Sequence, residues 1–351
     1  MTQKASTGSS STKKFIIAFV VVIIIALGGT GLFYYLKFFG PSVTGNEEYL
    51  YIRTGSTFAD VYKTIRDKEI VKDSTNFLWA AQNMKYPGRV KPGRYRLKEG
   101  MSNRALVNML SIGNQEAVKF SFHNIRLKEQ FAAFAAKNLE PDSASIIRLL
   151  DSANYVKQFD FTTDNVYVAF MPDSYDIYWN TTPEKLFKKM YDHYEAFWTK
   201  ERKDKAAELN LTPAEVSILA SIVDAEALKD DEMPTIAGLY LNRLKKGMKL
   251  ESDPTVIFAM KDFTIRRVLN RYLSVPSPYN TYANKGLPPG PIMMPSVNAV
   301  KAVLNYKPSD YIYMCAKEDF SGYHNFANNV AQHLINARKF QQALNERNIK
   351  K

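Results

Sequence analysis

The alternation of apolar and polar positions divides the chain into three stretches. Residues 15–36 carry no charge and are dominated by Ile, Val, Phe, Ala and Leu. Such a run is long enough to span a bilayer, so a single transmembrane helix is predicted there. Between 47 and 123 the patterns are short. A strand is expected at 49–53. A helix follows, with Phe58, Val61, Tyr62 and Ile65 on one face. A second helix, capped at Asp73-Ser74, carries Phe77, Leu78 and Ala81. Lys91-Pro-Gly93 is a turn, and Gly93-Arg-Tyr-Arg-Leu97 alternates as a strand does. A helix over 102–112, stopped by Gly113, and a strand over 118–122 complete the stretch. From about 125 to 206 the periods are mostly helical, with loops expected at 142–144 and 160–164. The stripe Phe187, Met190, Tyr191, Tyr194, Phe197 and Trp198 reads as a core face.

One helix stands out beyond that point. Thr212-Pro-Ala-Glu215 is a start signal, with Thr212 as N-cap, Pro213 at the first helical position and Glu215 closing a capping box. Val216, Leu219, Ala220 and Val223 recur at helical spacing, and Ile218 and Ile222 widen the stripe. So apolar a helix belongs at the centre of a domain. Glu226, near its end, shares a face with Ile222 and Val223. A carboxylate there is costly unless paired or neutral, and a neutral carboxyl is a general acid. The alternative is a solvated Glu226 in a frayed last turn. Asp224 is two residues away, about 200° around the helix, and points with Ser217 and Ser221 toward a more polar side. The two acids are therefore not expected to form a catalytic pair.

Further on, Ile236, Tyr240, Leu241 and Leu244 mark another amphipathic helix, stopped at Gly247. Asp253-Pro254 reads as an N-cap followed by proline, with substrate binding the other reading of Asp253. The segment Pro276-Ser-Pro-Tyr-Asn-Thr-Tyr282 is stiffened by proline and offers Tyr279, Asn280, Thr281 and Tyr282. It suits hydroxyl and acetamido recognition, or else bonds its own backbone. Phe170-Met-Pro-Asp-Ser-Tyr-Asp-Ile-Tyr-Trp179 reads as an aromatic loop, whose rings can stack on sugars.

Composition narrows the possibilities. At 351 residues the chain can hold two domains. A cleaved signal peptide competes with the anchor reading, because Ala26-Leu-Gly-Gly is rich in small residues. The run is too long for a signal core and continues through Phe33-Tyr-Tyr-Leu36, so a retained anchor is expected, with Tyr34 and Tyr35 at its far interface. Lys4, Lys13 and Lys14 precede the span with no acid among them. The positive-inside rule places the N-terminus in the cytoplasm and the large remainder outside. Without those three and Lys37, the formal charge of +12 falls to about +8. That suits an acidic cell-wall polymer, and an extracytoplasmic location argues against nucleic acid. Lone Cys315, in Tyr311-Ile-Tyr-Met-Cys315, excludes an intrachain disulfide and reads as part of a buried strand. His123, His193, His324 and His333 lack metal-ligand spacing, and no metal or cofactor is expected.

Two resemblances follow. The strand-helix-helix-strand order of residues 47–123 resembles a LysM domain, a compact glycan-binding module. Ala220-Ser-Ile-Val-Asp-Ala-Glu226, Tyr240-Leu-Asn-Arg-Leu244, Gly247-Met-Lys-Leu250, Ser252-Asp-Pro-Thr-Val256, Tyr279-Asn-Thr-Tyr282 and Gly286-Leu-Pro-Pro-Gly-Pro-Ile292 stand in the order seen in MltG-type endolytic murein transglycosylases, the YceG-like family. Phe170-Met-Pro-Asp-Ser-Tyr175 and Gly322-Tyr-His-Asn-Phe326 flank them in the same order. Asp224 departs from the usual glutamate of the family. The resemblance implies an α+β protein with a cytoplasmic tail (1–14), a transmembrane helix (15–36), a linker (37–46), a LysM-like βααβ module (47–123) and a YceG-like catalytic domain (124–351). It implies a single-pass protein of the cytoplasmic membrane that cuts nascent peptidoglycan strands internally and acts alongside penicillin-binding synthases of elongation or division. The family's catalytic glutamate falls on Glu226, acting first as acid on the glycosidic oxygen, then as base on the muramyl 6-hydroxyl. Asn280, Tyr282, Thr281 and Tyr279, with Asp253 and Arg243, are the expected substrate contacts. Two rivals are a non-catalytic glycan-binding scaffold and a hydrolase with a second carboxylate, Asp173 or Asp253.

Overall fold

The computed structural model describes residues 9–265 and 267–347, with side chains described from Lys13 onward. Lys4, used above to orient the chain, lies outside the described residues. Two compact units are present. One runs to Val118 and takes in Tyr178–Asn180; the other holds Lys119–Ile177 and continues from Thr181. The architecture is mixed α+β, with three two-stranded sheets among the described residues.

The first unit opens with α1 (Ser9–Phe39). This helix is long and apolar enough to cross a membrane, and its most apolar window is covered by no other part of the chain. Then come β1 (Tyr49–Ile52), α2 (Phe58–Asp67), α3 (Ser74–Asn83), β2 (Gly93–Arg96) and α4 (Asn103–Ile112). Local chemistry sets their ends. Thr57 and Asp60 close a capping box, Asp73 accepts from two backbone amides, and Gly113 (φ 77°) ends α4. β1 and β2 pair antiparallel, with Leu50 opposite Tyr95. Both residues join a core with Ile65, Phe77 and Leu106. Of the segment read as a linker, residues 37–39 continue α1 and the rest forms no helix or strand, yet it is packed. Val43 is 1% exposed and bridges Val71, and the Ser42 hydroxyl donates to Asn103 Oδ1. At the end of α1, Tyr34 and Phe38 lie against Trp79, and Asn103 Nδ2 donates to the Lys37 carbonyl. Pro, Gly and Ser signal irregular backbone, and one apolar residue is enough to tie such backbone down.

The second unit takes up β3 (Val118–Phe122) from its second residue on, followed by α5 (Lys128–Asn138), α6 (Ser143–Leu150), α7 (Ala153–Val156) and β4 (Asp173–Ile177). Asp142 caps α6, so most of the loop expected at 142–144 is helical. The aromatic stretch at 170–179 is also not the open loop expected. Phe170 and Met171 are buried, and 173–177 is a strand hydrogen-bonded to β3. Tyr175 stacks on Phe122 at 5.5 Å and donates to the Met171 carbonyl at 2.6 Å. Pro172 precedes the strand, where it breaks no ladder.

The remaining elements are α8 (Pro183–Phe197), α9 (Lys200–Glu208), α10 (Pro213–Glu226), α11 (Met233–Lys245), α12 (Asp253–Met260), α13 (Val297–Leu304), β5 (Tyr313–Ala316), β6 (His324–Ala327) and α14 (Val330–Glu346). α8 buries Phe187, Met190 and Tyr194 as its stripe predicts. α10 is the hub. Its capping box forms as expected, and every residue over 216–223 is buried. Helices α9, α11, α12 and α13 pack around it. The face carrying Ser217 and Ser221 is polar in composition but interior, at 2% and 0% exposure.

Candidate active site

Glu226 is the last residue of α10. Its backbone leaves the helix there, and the carboxyl meets side chains from two other elements. Tyr240 of α11 donates its phenol to Oε1 at 3.0 Å. Ser252, the residue preceding α12, donates its hydroxyl to the same oxygen at 2.6 Å. Oε2 has no protein partner among the described residues. Burial pushes the carboxyl above the usual glutamate range; the Ser252 and Tyr240 hydrogen bonds and the charge of His324 pull back, while Asp253 adds to the rise. The frayed, solvated alternative therefore does not describe Glu226.

The carboxyl opens on a cleft of about 250 Å³. Tyr240 and Arg243 line it from α11, Glu251 and Asp253 from the start of α12, Tyr282 from the proline-rich loop, and Cys315 and His324 from the β5–β6 hairpin. Cys315, expected in a buried strand, is half-buried on the cleft wall, and burial raises its thiol pKa, which keeps it protonated.

The six residues expected to contact substrate separate into two groups. Tyr282, Asp253 and Arg243 do line the cleft. The Tyr282 phenol donates to Asp253 Oδ1 at 2.7 Å. Asp253 is the first residue of α12 and not its N-cap; Ser252 holds that position without a side-chain cap bond, because its hydroxyl is committed to Glu226. Arg243 is 5% exposed and ties down backbone carbonyls of Lys249, Leu250 and Ile312, besides pairing with Glu251 at 2.9 Å.

The other three turn away. Asn280 is fully buried. Its amide donates to the Leu273 and Val275 carbonyls, and its Oδ1 accepts from the Tyr282 amide. Thr281, 2% exposed, accepts from the Ser252 amide and bonds Thr255. Tyr279 packs its ring on Phe258 at 4.7 Å and lines a separate cavity with Arg126 and Lys261. Asn280 and Thr281 thus shape the loop that presents Tyr282 and fix the backbone that presents Ser252. A proline-rich loop still has backbone polar groups to satisfy, and these side chains do it.

Asp224 and Glu226 are kept apart, as rotation about the helix requires. Asp224 accepts from the Ser296 amide at 2.7 Å, at the start of α13, and burial raises its pKa. Asp173, one proposed second carboxylate, pairs with His193 and is not part of the cleft lining. Four polar residues around Glu226 were not singled out as site residues in the sequence: Ser252, which bonds it, and Tyr240, Glu251 and His324, which line the cleft. Three were present in the motif strings, within Ser252-Asp-Pro-Thr-Val256, Tyr240-Leu-Asn-Arg-Leu244 and Gly322-Tyr-His-Asn-Phe326. No metal-ligating cluster of His, Cys, Asp and Glu occurs among the described residues.

A mixed α+β domain with one raised-pKa carboxyl at the floor of a polar cleft is a scaffold for acid catalysis on a hydroxyl-rich substrate. Comparison with known proteins makes the assignment specific. The sequence model of the YceG-like family matches residues 50–339, and the chain belongs to that family. It is 28% identical over 325 residues to the endolytic murein transglycosylase of Bacillus subtilis (strain 168), covering 84% of this chain and 85% of that protein. It is 26% identical over 361 residues to the endolytic murein transglycosylase of Streptococcus pneumoniae (strain ATCC BAA-255 / R6), covering 92% of this chain but 64% of that longer protein. The crystal structure of a YceG-like protein from Listeria monocytogenes superposes with a TM-score of 0.54 at 24% identity, over 82% of this chain and 98% of that one, and shows a shared fold.

Proposed function

We propose that the chain is a membrane-anchored endolytic murein transglycosylase in which Glu226 is the general acid. The observation that carries this reading is the asymmetry of the Glu226 carboxyl. Oε1 accepts two hydrogen bonds, so the proton of the neutral acid belongs on Oε2, toward the cleft. Burial keeps the neutral form populated to higher pH than in an exposed glutamate. The names of the Bacillus and Streptococcus relatives support peptidoglycan as substrate.

In this reading Glu226 protonates the oxygen bridging N-acetylmuramic acid and N-acetylglucosamine. The C1–O bond breaks through an oxocarbenium-like state, and the muramyl 6-hydroxyl attacks C1. The product ends in a 1,6-anhydro ring, and no water is consumed. General acid–base help of this kind is worth roughly 10²–10⁴-fold. Tyr282 and Asp253, locked to each other, and Arg243 are positioned to contact substrate. Asn280 and Thr281 act through the loop, and Tyr279 belongs to the neighbouring cavity.

The finer assignments rest on the sequence. Lys13 and Lys14, in α1 just ahead of its apolar run, support a cytoplasmic N-terminus and an extracytoplasmic catalytic domain, with α1 as the anchor in the cytoplasmic membrane. The antiparallel β1–β2 pair flanking α2 and α3 supports a LysM-like glycan-binding role for residues 47–123, ahead of a catalytic domain over 124–351. Penicillin-binding synthases are the partners such an enzyme would accompany.

The test is mass spectrometry of products from detergent-solubilised full-length protein and uncrosslinked peptidoglycan strands, beside Glu226→Gln. Internal fragments with 1,6-anhydro-muramic ends, absent with the variant, are expected. Reducing ends would replace this reading with hydrolysis. Folded protein that binds strands without cutting them would replace it with a scaffold.

A further inference from the structure

Glu232 is a buried acid for which the reading above has no use. It stands at the end of a short turn leading into α11, 6% exposed. Its two oxygens are both engaged by one residue, His324, at the start of β6. The His324 backbone amide donates to Oε1 at 2.8 Å, and the ring nitrogen Nδ1 lies 2.7 Å from Oε2. Next door the arrangement repeats, with the Tyr323 phenol donating to both oxygens of Asp231. Two consecutive acids therefore grip two consecutive residues, Tyr323 and His324, at the start of β6. A carboxylate can only accept, so Nδ1 carries a hydrogen, and the ring in its neutral form presents Nε2 as a lone-pair acceptor. Nε2 has no protein partner among the described residues. The ring lines the cleft that holds Glu226.

We propose that His324 is a second catalytic residue, a general base held in tautomer and orientation by Glu232, which takes the proton of the attacking muramyl hydroxyl. This inference rests on the transglycosylase reading. Glu226 Oε2–H gives its proton to the bridging oxygen as the C1–O4 bond breaks. The muramyl O6 bonds to C1, and its proton passes to His324 Nε2. The turnover leaves a Glu226 carboxylate and a His324 imidazolium. Returning that proton to Glu226, directly or through solvent, restores both groups, and nothing else is consumed. Acid and base are then separate side chains, as the proton inventory favours: a carboxyl that has just delivered its proton at one oxygen need not turn to a second. A buried carboxylate bonded to Nδ1 is the device by which other enzymes orient a histidine base.

The cleft also holds Tyr240 and Arg243 from α11, Glu251 and Asp253 at α12, Tyr282 from the loop and Cys315 from β5, while Asp231 and Glu232 hold the hairpin from behind. A pH profile must therefore be assigned by substitution. The experiment measures the rate of 1,6-anhydro product formation by full-length protein across pH, for the wild type, His324→Ala, His324→Asn and Glu232→Gln. Asparagine can still donate to Glu232 but cannot accept a proton, so it keeps the clamp and removes the base. The expected wild-type profile is bell-shaped. His324→Asn should fall roughly 10²–10⁴-fold and lose the acidic limb. Added imidazole should restore part of the His324→Ala rate, which a purely structural histidine would not permit. Glu232→Gln should lose less than His324→Asn, with KM unchanged.

A folded His324→Asn variant that forms anhydro product within about threefold of the wild-type rate, with its acidic limb intact, overturns the assignment and leaves the role of Glu226 standing. The full 10²–10⁴-fold allotted to acid–base help would then belong to Glu226 alone. Absence of anhydro product from the wild type itself would instead overturn the transglycosylase reading, and this base with it.

Discussion

Asp224 and Glu226 lie two residues apart on α10, and their surroundings differ in kind. On the Asp224 side the polar groups bond to the backbone of neighbouring elements. Asp224 accepts from the Ser296 amide, and the Ser221 hydroxyl donates to the Ile218 carbonyl while accepting from the Ile292 amide. These bonds tie α10 to α13 and to the loop over 286–292. On the Glu226 side the partners are hydroxyls of two distant side chains, both on one oxygen, and the other oxygen opens on a cleft. An acid that holds the start of a neighbouring helix has a structural task. One held by side chains, with its other oxygen facing a cavity, is a candidate for chemistry. Both have raised pKa values, so the pKa alone does not separate them.

Substitution at the two positions should separate them most sharply. Glu226→Gln is expected to lower turnover by about 10²–10⁴-fold with the fold retained. Asp224→Ala should leave the rate per folded molecule within a few-fold and instead cost about 1–3 kcal/mol of stability, by stranding the Ser296 amide. Equal loss of activity in both variants would erase the distinction. Asn280→Ala tests the same contrast in the loop. It should destabilise by roughly 1–3 kcal/mol, through two carbonyls and one amide left unpaired, and reduce activity only as Tyr282 shifts. Unchanged stability with a large loss of activity would return Asn280 to the substrate.

A smaller effect reads the proton itself. With Glu226 as the proposed general acid, activity should fall as pH rises through its raised pKa. Ser252 and Tyr240 lower that pKa, so Ser252→Ala should move the alkaline limb to higher pH, and a downward move would contradict the hydrogen bond. The smallest effect is on stability. The folded state holds the Glu226 proton more tightly than the unfolded chain. Its stabilising share is therefore complete below the unfolded pKa and is lost as pH rises through the folded value. Glu226→Gln should raise stability by about 0.5–2 kcal/mol above that window, with the gain shrinking below it, as thermal melts across pH would show.

Much of this was legible in order along the chain. The capping box at Thr212 and Glu215, the stop at Gly113 and the cap at Asp73 formed as local chemistry required. The errors share one cause. The stretch over 170–179 and the segment over 37–46 read as open because proline, glycine and polar residues dominate them. In the fold, β3 gives the first a partner strand, and the core of the first unit gives the second a place for Val43. Asp253 read as a cap, yet its neighbour Ser252 took that position and spent its hydroxyl on Glu226.

Periodicity by itself determined the apolar N-terminal helix, the burial of α10, and the separation of Glu226 from Asp224. Each depends only on how far a side chain rotates about its own axis, which neighbouring residues fix. The tertiary structure decided which polar groups meet. Ser252 reaches Glu226 across 26 residues, and Glu232 reaches His324 across 92. It also decided that Asn280 faces inward and Tyr282 outward. A polar side chain shows the same pattern whether it bonds backbone, another side chain or a substrate, and only the packing of remote elements distinguishes the three.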